Sequence, residues 1–304
     1  MPKELIEFSN ALALATERAA ASVVAVHTET RGSSSGIVWR PGVIVTSEHT
    51  LRRDEEIQLT LPNGRVAPAT LVGRDPSTDI AVLKCAEADT VVSLFGDVAA
   101  LKPGSLTLVV GRTRASGPVA ALGVVSLVAS DRRTWMGASL SPYIRLDIGL
   151  QPTSIGGAVI DAHGNVVGLA TPRFARFGAI AVPASAINKI ADTLLKQGRI
   201  PRGYLGVALQ PVRLPNAFRE KLQRNEKTAA IVLEVHPDGP ADKAGIVIGD
   251  ILVSLGGQSI TRLEDVQSLL AGEAIGKTLP LKFVRGGTVQ DSDIVVAERP
   301  HGGE

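Results

Sequence analysis

The spacing of apolar residues changes abruptly near residue 22. Over residues 3–20, Leu5, Phe8, Leu12 and Ala15 recur every three to four positions, the period of an amphipathic helix. From Ser22 onward apolar residues alternate or form short runs: SVVAVHT, SGIVW, GVIVTS, IQLTL, PATLVG, IAVLK, LTLVVG, GVVSLV, YIRLDI, GAVID, VVGLAT and AIAVP. Turn signals separate them, among them Pro41-Gly42, Pro62-Asn63-Gly64, Lys102-Pro103-Gly104 and His163-Gly164-Asn165. So many short strands without intervening helices predict β-barrels or a sandwich rather than an α/β sheet. A helix follows over Ala184–Gln197, with Gly198 as its C-cap.

Past a linker, GRIPRG at 198–203, the texture changes again. IVLEVHP and Ile251–Leu255 read as strands. Ala241–Ala244 is a single helical turn closed by Gly245, and Gly256-Gly257 is a hairpin turn. Arg262–Leu270 is an amphipathic helix, and a last hairpin turns at Gly286-Gly287. The chain therefore divides into residues 1–197, a linker at 198–203, and a small second domain at 204–299.

Composition removes several classes of function. Charged residues make up 20% of the chain and the net charge is only +2, which argues against nucleic acid as a partner. The single cysteine, Cys85, allows no internal disulfide and no thiolate metal site, and reads as a small buried hydrophobe. His27, His163, His236 and His301 share no ligand spacing and read as surface or turn residues. No cofactor is implied. Glu4, Glu7, Glu17 and Arg18 interrupt the first twenty residues, so no signal-peptide core is present, and no later stretch approaches a membrane span.

Three segments carry candidate chemistry: GVIVTSEHTL with His49, GRDPSTDIAVLK with Asp79, and LDIGLQPTSIGGAVIDAHGNVVGLAT at 146–171. Each is weak alone, since a histidine after a strand is usually a loop residue and an aspartate before one usually caps a turn. In this order, on a background of short strands, they resemble the trypsin-like serine proteases of the HtrA/Deg family. Thr46–His49 and Gly73–Asp79 match the family's histidine and aspartate segments. Asp147 to Gly157 matches the nucleophile segment, with Pro152 and Gly156-Gly157 fixing the register. The resemblance implies a mainly β fold: a chymotrypsin-like double β-barrel followed by a PDZ domain, a small β-sandwich with two helices.

In that frame Ile155 occupies the nucleophile position. A sec-butyl group can neither attack a carbonyl nor share a proton with histidine. Thr153 stands where the family has the glycine whose amide helps form the oxyanion hole, in the loop that also contains Gly156. Loss of one such donor costs about 2.7–4 kcal/mol of transition-state stabilisation. Ser154 is the alternative nucleophile, but a one-residue slip would put Gly156-Gly157 out of step, and a misplacement of about 1 Å is enough to lose catalysis. The retained His49 and Asp79 then read as a fossil pair that holds the two barrels together.

In the second domain, GYLGV at 203–207 resembles a PDZ carboxylate-binding loop, and EVHPDGPADKAGIVIGDILVSLGGQSI matches the family pattern almost throughout. The resemblance implies that a hydrophobic C-terminus binds the amides of Leu205, Gly206 and Val207, next to Tyr204. Its last side chain would pack on Leu205, Val207, Val266 and Leu269, the peptide adding as an extra strand. Two readings stay open. One is a pseudoprotease that binds peptides or unfolded segments as scaffold, holdase or regulator of an active paralogue, as a homotrimer or a mixed oligomer. The other is an active serine endopeptidase using Ser154. The resemblance implies the bacterial periplasm or cell envelope, with the cytoplasm left open by the lack of a signal peptide.

Overall fold

The computed structural model describes residues 2–28, 32–52, 56–88, 92–115, 117–130, 132–134, 138–222, 225–270 and 274–300. The chain separates into two compact units, Met1–Ile200 and Pro201–Glu304. The first opens with helix α1 (Lys3–Ala20). Strands β1 (Val23–Thr28), β2 (Gly32–Arg40), β3 (Val43–Ser47), β4 (Ile57–Thr60), β5 (Val66–Asp75) and β6 (Ile80–Lys84) follow. They close as a barrel in the order β1-β2-β3-β6-β5-β4. A second group comprises β7 (Leu106–Thr113), β8 (Gly117–Ala129), β9 (Arg132–Arg133), β10 (Ser139–Leu140), β11 (Tyr143–Asp147), β12 (Ala158–Ile160), β13 (Val166–Thr171) and β14 (Ala179–Pro183). Six of these close as β11-β14-β13-β12-β7-β8, while β9 and β10 form a separate hairpin. This is the double barrel that the sequence implied.

The strands read as apolar runs because many are buried on both faces. Val24, Val26, Ile44, Leu59 and Leu83 fill the first barrel. Their neighbours Val23, Val45 and Ile80 point the other way, into a cluster shared with Leu108, Val110, Ala158 and Ile160 of the second barrel. Helix α2 (Ala184–Gln197) ends as expected, with Gly198 at φ 70° and its amide bonded to the Leu194 carbonyl. Trp39 donates from Nε1 to Asn188 Oδ1 at 2.7 Å and packs against Phe95 with ring centroids 4.4 Å apart. His27 departs from the surface or turn expected of it: it lies half-buried within β1 and bonds Thr60 Oγ1 through Nε2 at 2.8 Å. Pairing of β1 with β4 encloses it there. His301 lies outside the described residues.

The end of α1 is held by a buried arginine. Arg112 on β7 donates from Nε to Val23 O at 2.6 Å and from Nη2 to Ala20 O at 2.7 Å. Burial pulls its guanidinium below the ordinary value, yet arginine stays charged at neutral pH. Replacing Arg112 with Met keeps the bulk and strands both carbonyls, so chemical denaturation is expected to show a loss of about 1–3 kcal/mol. A stability equal to the parent's would show that water takes over both bonds.

The second unit contains β15 (Gly203–Tyr204), β16 (Val207–Arg213), α3 (Asn216–Lys221), β17 (Thr228–Val235), α4 (Pro240–Lys243), β18 (Ile251–Leu255), β19 (Gln258–Ser259), α5 (Leu263–Leu269), β20 (Thr278–Arg285), β21 (Thr288–Val295) and β22 (Ala297–Glu298). Its main sheet runs β16-β17-β18-β20-β21, with β19 beside β18, and β15 pairs β22. Leu205, Val232, Leu252, Leu255, Ile260 and Phe283 form its core. Buried Asp250 is held by Arg285 Nε at 2.8 Å and Nη2 at 2.7 Å.

Candidate functional site

Three turns deliver the first-unit site. Strand β3 runs into a short 3-10 turn, Glu48–Thr50, that carries His49. Strand β5 ends in a turn folded on the buried Asp75 carboxylate, which accepts from the Ser77 hydroxyl at 2.7 Å and the Thr78 hydroxyl at 2.7 Å. That turn delivers Asp79 at φ 61°, a left-handed conformation that aspartate tolerates better than most residues. A third turn, Pro152–Ser154, leads into Ile155.

Asp79 is fully buried and its carboxylate is saturated. It accepts from His49 Nδ1 at 2.9 Å, from the His49 amide at 2.8 Å, from Ser47 Oγ at 2.5 Å and from Thr171 Oγ1 at 2.5 Å. Thr171 comes from β13, so one carboxylate ties side chains of both barrels. Beside it, burial pushes the Glu48 carboxyl up, and the Asp79 charge pushes the same way. Arg74, Arg173 and His49 oppose them. Arg74 lies 3.6 Å from Glu48.

The 152–157 segment has a definite backbone. The Ser154 amide donates to Gln151 O at 2.8 Å and the Ile155 amide to Pro152 O at 3.2 Å. Ile155 O in turn accepts from the Ser35 amide at 2.8 Å, and Ser35 Oγ donates to Thr153 O at 2.6 Å. Gly156 sits at φ 79°, and a Cβ there would lie 2.3 Å from Ser35 O, so no other residue fits. Ile155 lines a hollow of about 160 Å³ with Ser33, Ser34, His49, Thr50 and Pro152. Ser154 does not line it: it is 3% exposed and packs with its Cα 2.9 Å from where a Cβ on Gly111 would stand. Thus His49 and Asp79 are brought together and Ile155 faces the same hollow as His49, while Ser154 is buried outside its lining. Ser47, Thr171 and Ser35 were missed by sequence reasoning. Only the position of Thr171 at the end of VVGLAT could have drawn notice.

In the second unit, the Leu205 carbonyl accepts from the Ala241 amide at 2.8 Å and the Gly206 carbonyl from the His236 amide at 2.8 Å. These bonds turn the carbonyls inward. Among the described residues the amides of Leu205 and Gly206 donate to no backbone acceptor. Leu205, Val207, Val266 and Leu269 share one apolar cluster. Tyr204 stands apart from them, lining a hollow of about 480 Å³ with His236, Pro240 and Val295. Among the described residues no group of three His, Cys, Asp or Glu could hold a metal ion.

Residues 34–169 match the family model of the trypsin-like peptidase domain, and residues 203–296 match that of the PDZ domain. The chain has the HtrA/DegP build. A probable periplasmic serine endoprotease DegP-like of Pseudomonas putida (strain GB-1) is 31% identical over 278 residues, which are 90% of this chain and 57% of that protein. One from Halomonas elongata is 30% identical over 282 residues, with 90% and 58% covered. The chain thus spans a little over half the length of the curated relatives it matches. Among solved structures, the serine endoprotease from Yersinia pestis has a TM-score of 0.74 at 27% identity, over 94% of this chain and 97% of that one. The HtrA-type protease AlgW with decapeptide has a TM-score of 0.77 at 23% identity, over 97% and 99%, a likeness of fold. Within this HtrA-type frame the trypsin-like match spans His49, Asp79 and Ile155.

Proposed function

We propose that this HtrA-like chain is a pseudoprotease that binds peptides or unfolded segments through its PDZ domain, as a scaffold, a holdase or a regulator of an active paralogue. The observation that carries the reading is the amide of Ile155. An oxyanion hole needs this amide and that of residue 153 directed at the substrate. Here the Ile155 amide is spent on Pro152 O, so side chain and backbone are unsuited to acyl transfer together. The burial of Ser154 weighs against its use as a nucleophile. The PDZ loop, with its carbonyls tied back, supports capture of a C-terminal carboxylate. The DegP-like relatives are named periplasmic, and we place this chain in the same compartment. Assembly as a homotrimer or a mixed oligomer belongs to the same proposal.

Incubating the chain with unfolded casein and with a fluorophosphonate probe tests it. Neither cleavage nor labelling is expected. Labelling at Ser154 would overturn the reading. Peptides with a hydrophobic C-terminus should bind while their C-terminal amides do not, and equal affinity would rule out carboxylate capture.

A further inference from the structure

We propose that Pro211 limits the strand a ligand can add to β16, so that the groove reads only about the last four residues of a C-terminus. This rests on the carboxylate-groove reading above. Strand β16 lies at the edge of its sheet, paired only with β17. Its register places Gln210, Pro211 and Val212 opposite Ile231, Ala230 and Ala229. In an antiparallel ladder, facing residues either exchange both backbone bonds or neither. Proline has no N–H, so the Pro211–Ala230 pair makes neither, and Gln210 and Val212 bond to β17. The backbones of Leu209, Pro211 and Arg213 therefore face the open edge.

The register shift does not disturb this pattern. Ala208 faces Glu234 and Leu209 faces Val232, so the extra residue is Leu233 on β17 and alternation along β16 continues. Val207 thus faces the same edge. The side chains agree: Val207 and Leu209 join the cluster of Val266 and Leu269, whereas Val212 joins a different cluster on the other face. Pro211 therefore lies on the side of α5, two residues beyond Leu209.

A ligand strand bonds to every second residue of this edge. At Leu209 both an amide and a carbonyl are offered. At Pro211 the carbonyl remains, the amide is missing, and the ring Cδ stands where its hydrogen would project. Pairing stops there. Proline on an edge strand also discourages edge-to-edge aggregation, which by itself predicts no dependence on ligand length.

The test uses acetylated peptides of four, six and eight residues sharing the ending Thr-Ala-Val-Leu, titrated into the full chain and its Pro211→Ala variant. In the unaltered chain the three affinities should agree within about twofold, while in the variant all three should gain about three- to tenfold, the worth of one further bond, because the acetyl carbonyl of the four-residue peptide stands where the longer peptides' fifth carbonyl from the end accepts from the restored amide. Hydrogen exchange on the unaltered chain gives a second measurement: the eight-residue peptide should protect the Leu209 amide and leave the Arg213 amide unprotected. Affinity that climbs with length in the unaltered chain, or protection reaching Arg213, overturns the inference alone. If no peptide binds, the groove reading falls and this inference with it.

Discussion

Changing Ile155 to Ser alone is expected to leave casein cleavage about 100-fold or more below that of the Thr153→Gly/Ile155→Ser double variant. The single change supplies a hydroxyl next to His49, which Asp79 already orients. It leaves the amide of residue 155 on Pro152 O, 3.2 Å away. Freeing that amide requires the Pro152–Thr153 peptide plane to turn over, which changes ψ at Pro152 and φ at Thr153. Glycine passes through both signs of φ readily, whereas a β-branched residue is restricted. One oxyanion donor is worth about 2.7–4 kcal/mol, or 10²–10³ in rate, so the effect is large enough to read with a fluorogenic substrate. Equal activity of the single and double variants would show that the turn opens freely in solution and that Ile155 is the whole lesion.

Asp79→Ala is expected to destabilise the first unit by about 3–5 kcal/mol. The carboxylate accepts from Ser47, from the backbone and ring of His49, and from Thr171. Its removal takes their shared acceptor from these donors and cuts the link between β3 and β13. It also puts alanine at φ 61°, a conformation that aspartate tolerates better. Asp79→Asn keeps the shape and one acceptor oxygen, so it should lose less, about 1–3 kcal/mol. Thermal or denaturant unfolding reads both. A loss under about 1 kcal/mol for the alanine variant would mean that the pair does not hold the barrels together.

Most of the fold was legible because the first unit buries both faces of many of its strands, so these show as apolar runs bounded by Gly and Pro turns. The end of α2 at Gly198 was legible for a local reason, the left-handed cap that glycine favours. Helix α3 was passed over, although Leu214, Phe218 and Leu222 recur every four residues there. Its single short turn after Pro215 was masked by the surrounding polar residues. At the site, the order of His49, Asp79 and Ile155 followed from motif register. The engagement of the Ile155 amide did not, because peptide-plane orientation leaves no trace in residue identity. Nor did the Thr171 bond to Asp79, since it depends on how the two barrels pack. Pro211 was visible as a letter, but its meaning depends on which edge of β16 is open.

The packing of Trp39 gives the chain an optical handle. Its indole is 1% exposed, lies against Phe95 and is bonded to Asn188 on α2. Separation of α2 from the first barrel would break that bond and wet the ring together, moving its fluorescence emission to the red. Loosening of that seam during unfolding can therefore be followed without an added label, in a variant whose other tryptophan, Trp135, is replaced by Phe.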